Sequence, residues 1–170
     1  MSNTERQILQ NQFRILELLD RENAESHAKR AEILYNGFTG AYSKVFDMMP
    51  EISEAVCTEV QDILDMFRAL ALAVRSGVDC TGIPRRALQF SGFDGNHEID
   101  HMVFTRYLTK NRGGWAELGI TEGKLNSHTL RLYLYRPMLT RWRQSRDQWK
   151  LTREDLLRIL PPRTSSQGIE

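Results

Sequence analysis

One segment constrains the fold of this chain more than any other. From Val56 to Val74 the apolar residues Val56, Val60, Ile63, Phe67, Leu70, Ala71 and Val74 recur at helical spacing for about five turns. Leu64, Met66 and Leu72 widen that stripe, so the helix is expected to lie at the centre of the core. Pro50 is placed at its first helical position, Glu51 and Glu54 favour its positive end, and Gly77 ends it. A helix this apolar must be covered by others, and the rest of the chain supplies them.

Residues 4–19 carry Leu9, Phe13, Leu16 and Leu19 in helical register. A second helix is expected over 24–35, with Ala28, Ala31 and Leu34 on one face and Gly37 and Gly40 after it. Residues 77–93 read as loop, with a short extended piece at 87–90. Asp94 is expected to cap a helix of about 95–109, with Phe93 as its staple. The pattern resumes at Ser127 and runs to Gln148, where Pro137 should kink or divide it. Leu151-Thr152-Arg153-Glu154-Asp155 is an N-cap signature for a last short helix to Leu160. The reading is a single all-α domain of six or seven helices over 1–162, with a disordered tail at 163–170.

No apolar run approaches the ~20 residues of a membrane span, and the first residues lead straight into a charged helical pattern. Cys57 and Cys80 make neither a disulfide framework nor a C-x-x-C knuckle. A reducing cytoplasm and no membrane association are expected. The net charge of +1 hides an asymmetry: residues 127–163 hold nine Arg or Lys and three acids, so the remainder is net negative.

The chemistry-bearing motif is His97-Glu98-Ile99-Asp100-His101, a literal H-E-x-x-H. On a helix it would set two imidazoles one turn apart with Glu98 as general base, the zinc-hydrolase arrangement. Its position directly after Gly95 and a helix cap, and the charge at Asp100, weigh against that chemistry. The third ligand would have to be Glu117, Glu122 or His128, none in a motif. No metal or other cofactor is therefore expected, with zinc on His97 and His101 kept as the alternative. Asp94 reads as a helix cap before it reads as an active carboxylate.

Two further arrangements could act on nucleic acid. Arg21 and His27 form an R-x5-H, the spacing of HEPN-type ribonucleases. Arg136, Arg143, Arg146 and Lys150 fall near one helical face, with Trp142 and Trp149 interleaved, a pattern that can bind phosphates and stack on bases. The competing reading is that Trp142 and Trp149 are core and the arginines pair with acidic helices. The pair near 24–48 lacks a helix-turn-helix signature, its second element carrying one Lys.

Dispersed residues also resemble the YfbU family. They are Arg6-Gln7-Ile8-Leu9 with Asn11-Gln12, Leu19-Asp20 with Asn23-Ala24-Glu25, and Asp62-Ile63 with Met66 and Ala69-Leu70. Phe90-x-Gly92-Phe93-Asp94 is the most distinctive, followed by Leu125-Asn126 with Thr129, Met138-Leu139 and Trp142. The resemblance spans the chain to Leu160 and implies a multihelical fold of a bacterial protein with no catalytic residue assigned. It also implies that Gly92-Phe93-Asp94 is shared and the histidines after it are not. The expected function is a non-enzymatic binding or self-associating module, most simply a homo-oligomer, with a nucleic acid or a protein as its partner. Zinc hydrolysis and RNA cleavage are the enzymatic alternatives.

Overall fold

A computed structural model describes residues 1–46, 50–111 and 114–161. The chain forms two compact units, Met1–Glu51 and Ile52–Glu170. Among the described residues there are six α-helices, several short 3-10 turns and no strand, as the all-α reading requires. The expected tail at 163–170 lies outside the described residues.

In the first unit, α1 (Asn3–Leu19) packs on α2 (Ala24–Asn36), and a 3-10 turn follows at Thr39–Lys44. Ser2 and Glu5 form a reciprocal capping box at the start of α1. The Arg6 guanidinium donates to the Leu34 and Tyr35 carbonyl oxygens at 2.9 and 3.0 Å, satisfying the open end of α2. Leu9 and Phe13 lie half-buried towards α2, where Phe13 stacks on His27 with ring centroids 6.1 Å apart.

The second unit is built around α3 (Glu54–Arg75), which buries Val60, Ile63, Leu64, Met66, Phe67, Ala69, Leu70 and Ala73. The central position expected of this helix is observed. Its start is four residues later than Pro50 suggests, because the Ser53 hydroxyl accepts the Val56 N–H and supplies the cap. Gly77, at φ +82°, closes it: the Val78 and Gly77 N–H groups return to the Ala73 and Val74 carbonyls.

Two other boundaries differ from the pattern. The helix expected from 95 is α4 (Ile99–Arg106), continued by one π-turn at Tyr107–Asn111. The helix expected from Ser127 is α5 (Leu132–Arg143). Local side-chain bonds compete with helix in both lead-in segments. Asn126 Oδ1 accepts the His128 N–H at 2.9 Å, the Ser127 hydroxyl donates to the Thr129 carbonyl at 2.6 Å, and His128 sits at φ +55°. Pro137 lies inside α5 without dividing it. The amide it lacks would have served the carbonyl of Tyr133, a residue 67% exposed, so water can take that place. Residues 85–88 form a 3-10 turn rather than an extended piece, and the isolated parallel bridge joins Phe93 to Asn126. The last helix, α6 (Arg153–Ile159), starts as its sequence predicts, with a reciprocal Thr152–Asp155 box.

Candidate functional site

The most distinctive part of the sequence is also the structural hub of the second unit. Gly92 sits at φ +84°, and a Cβ there would overlap the carbonyl oxygens of Lys124 and Leu125, so only glycine fits. Phe93 exchanges backbone bonds with Leu125 and Ser127, both 2.9 Å. Its fully buried ring stands 5.4 Å from Phe90 and 5.7 Å from Tyr135, and Phe67 meets Tyr135 at 5.1 Å. The Tyr135 hydroxyl accepts the Ser91 N–H and donates to the Gly92 carbonyl, each 3.1 Å. Burial pushes that phenol up to about 12.

Asp94 does not cap a helix. It closes a turn, Oδ1 accepting the Asn96 N–H at 2.9 Å and Oδ2 facing His97 Nδ1 at 3.0 Å. The Asn96 amide first, and His97 second, hold its carboxyl below the usual carboxylate range. The cap residue of α4 is Glu98, and its side chain turns away from that helix. Buried to 4% exposure, it accepts the Asp94 N–H at 2.9 Å through Oε2, and the Arg131 and Leu132 N–H groups at 2.8 Å through Oε1. One carboxylate thus fixes the junction and satisfies the start of α5 from 33 residues away.

The H-E-x-x-H stretch therefore straddles a helix start: His97 and Glu98 lie in the preceding turn, and only Ile99 to His101 are in helix. Its histidines face different partners. His97 is solvent-exposed against Asp94, whereas His101 is buried, Nε2 lying 2.9 Å from Glu59 Oε2. The third-ligand candidates are elsewhere engaged or exposed. Glu117 pairs with Arg68, Glu122 lies 2.6 Å from Arg106 Nε, and His128 is at the surface. Among the described residues no three His, Cys, Asp or Glu side chains are grouped to hold a metal. The geometry brings His101 to Glu59, and not to His97.

Glu59 is the residue that sequence reading missed. It receives Arg136 through two bonds, at 2.8 and 3.0 Å, besides His101. Arg136 foremost, then His101, hold its carboxyl down at about 2. Three residues on, Asp62 pairs with Arg143. The spacings Glu59/Asp62 and Arg136/Arg143 each put two charges on one helix face, since residues three, four and seven apart share a face, but spacing does not say which two faces meet.

The basic segment follows the same pattern. Arg141 donates to the Ile159 and Leu160 carbonyls at 2.9 Å, Arg153 to the Asp79 and Thr81 carbonyls at 2.7 and 2.8 Å, and Arg158 to Asp155. Of the four predicted binding residues, Arg136 and Arg143 are thus tied to α3, and Arg146 and Lys150 are exposed. Trp142 is buried, and Trp149 packs edge-on against it while remaining 46% exposed. In the first unit, Arg21 is exposed in the turn before α2, and His27 lies within that helix, 3.1 Å from Asp20.

The described helices include none long and apolar enough to cross a membrane. Comparison with known proteins gives one consistent result. The sequence profile of the YfbU domain matches residues 1–161. A UPF0304 protein of Mannheimia succiniciproducens is 29% identical over 160 residues, which is 94% of this chain and 98% of that protein. UPF0304 proteins of Histophilus somni and Actinobacillus succinogenes are each 28% identical with the same coverage.

Proposed function

The chain belongs to the YfbU family, and on that premise we propose that it is a non-enzymatic binding module that self-associates through its first helix. The observation that carries this reading is the surface of α1. None of its 17 residues is fully buried, while Ile8, Ile15, Leu16, Leu18 and Leu19 are 39–77% exposed. Ile8, Gln12, Ile15 and Leu19 follow the four-three-four spacing of a helix-packing seam. Among the described residues of this unit, the buried apolar side chains are Ala31, Leu34 and Val45. That is a small core for two helices, and an unpartnered apolar seam of this size is costly in water.

A second copy presents the same seam and can meet it across a two-fold axis. Covering each exposed Leu or Ile would return roughly 1–2 kcal/mol at ~25 cal/mol per Å². The free thiols of Cys57 and Cys80 agree with a reducing compartment. The zinc-hydrolase alternative lacks support of this kind, since the oxygens of Glu98 already serve three backbone amides.

Light scattering coupled to gel filtration tests the reading. The wild type should run as a dimer or larger, and the double variant Ile15→Glu/Leu19→Glu as a helical monomer. A wild type that stays monomeric well above micromolar concentration would overturn it.

A further inference from the structure

A cavity of about 480 Å³ opens in the second unit beside the start of α5. Its volume is in the range of small-metabolite sites. Phe67, Tyr135 and Met138 form the apolar floor, and Tyr133 stands at the surface on its wall. The cationic groups on the wall are the guanidinium groups of Arg86 and Arg131, and no Asp or Glu lines it.

Arg131 differs from five other arginines of the basic segment. Arg136, Arg141, Arg143, Arg153 and Arg158 each bond a carboxylate or a helix-end or loop carbonyl. The main chain of Arg131 is pinned by Glu98, but that carboxylate gives its oxygens to backbone amides. Arg131 Nε is buried with no hydrogen-bond partner among the described residues. A buried donor without an acceptor costs free energy unless something else supplies the acceptor. Two guanidinium groups on one acid-free cavity form the donor set that planar recognition of an oxyanion uses.

We propose that this cavity binds a small organic oxyanion, a phosphate ester or a polycarboxylate, held by Arg86 and Arg131 over the aromatic floor. Gln89, also on the wall, can take a neutral polar group of the same ligand. Neither the family match nor the self-association reading implies this site.

Isothermal titration with two probes, pyrophosphate and citrate, tests it on the full chain at physiological salt. Saturable one-to-one binding of either probe is expected, accompanied by a higher melting temperature. Pyrophosphate alone would mark a phosphate ester as the ligand class, citrate alone a carboxylate. Arg86→Met and Arg131→Met should each weaken binding at least tenfold, about 1.4 kcal/mol. Arg131→Lys, which keeps the charge and loses the fork, should weaken it severalfold. Arg146→Ala, at the exposed end of the basic segment, should leave it unchanged. Without ligand, Arg131→Met should melt no lower than wild type, because a cation lacking a partner is removed; a purely structural arginine would lower it. Absence of saturable binding to both probes, or binding that Arg146→Ala weakens as much as Arg131→Met, would overturn the proposal.

Discussion

Replacing Glu98 by alanine is expected to be among the most destabilising single changes in the second unit, although a zinc-hydrolase reading would make it a loss of activity in a stable protein. The magnitude follows from its partners. The carboxylate accepts three backbone amides at 2.8–2.9 Å, that of Asp94 buried and those of Arg131 and Leu132 partly so. Each stranded donor costs about 1–3 kcal/mol, and because the two α5 amides can recruit some water the sum is roughly 3–6 kcal/mol. Against a typical domain stability of about 5–15 kcal/mol this approaches global unfolding. Glu98→Gln keeps one carbonyl oxygen for the α5 amides and sets its NH2 against the Asp94 N–H, so it should cost about 1–3 kcal/mol. His97→Ala, at a solvent-exposed ring, should stay within about 0.5 kcal/mol. Urea denaturation followed by circular dichroism reads all three. A Glu98→Ala protein within about 1 kcal/mol of wild type would refute the assignment of this carboxylate as a tertiary helix cap.

The Glu59 carboxyl, held at about 2 against an ordinary 4.5, predicts an acid-side loss of stability. Its folded value is depressed, so the unfolded chain binds the proton more readily; the contribution is full above pH 4.5 and fades as pH falls towards 2. It amounts to at most about 3 kcal/mol, less in salt because Arg136 is exposed, and denaturation midpoints between these limits should fall less steeply in Glu59→Gln. Gly92→Ala combines a left-handed backbone with overlap onto two carbonyl oxygens and should cost more than about 3 kcal/mol. Gly119→Ala, at φ +59° in open space, should cost about 1 kcal/mol in the same melting assay. Tyr135→Phe removes the hydroxyl shared by Ser91 and Gly92; a loss of about 1–3 kcal/mol is expected by urea titration, and a neutral result would mean that the junction is held by packing alone.

Much of the helical layout is legible in the chain because helices are specified locally. The α3 stripe from Val60 to Leu70 and the Thr152–Asp155 box rest on spacings of three or four residues and appear where the pattern places them, whereas Leu72 and Val74 at the end of the stripe are exposed. Helix starts were harder to read wherever a side chain had a choice. Asn126 and Glu98 spend their polar atoms on a turn and on distant amides, and Ser53 rather than the Pro50 segment supplies the cap of α3, so α5, α4 and α3 begin later. The basic segment was legible as charge, but not as a set of pairings.

The sequence by itself determined an all-α chain, its family and the singular Gly92-Phe93-Asp94 junction. Only the tertiary structure decided what the acidic and basic residues do. His101 and Glu59 are 42 positions apart, Arg136 and Glu59 77, and Glu98 and Arg131 33. Helical periodicity carries no information over such separations. Packing α3, α4 and α5 around one aromatic cluster turns His97-Glu98-Ile99-Asp100-His101 from a metal-site spacing into a buried cap, a surface imidazole and a buried imidazole in hydrogen-bond contact with Glu59. The same packing leaves Arg131 beside an open cavity, with Nε buried and unpartnered.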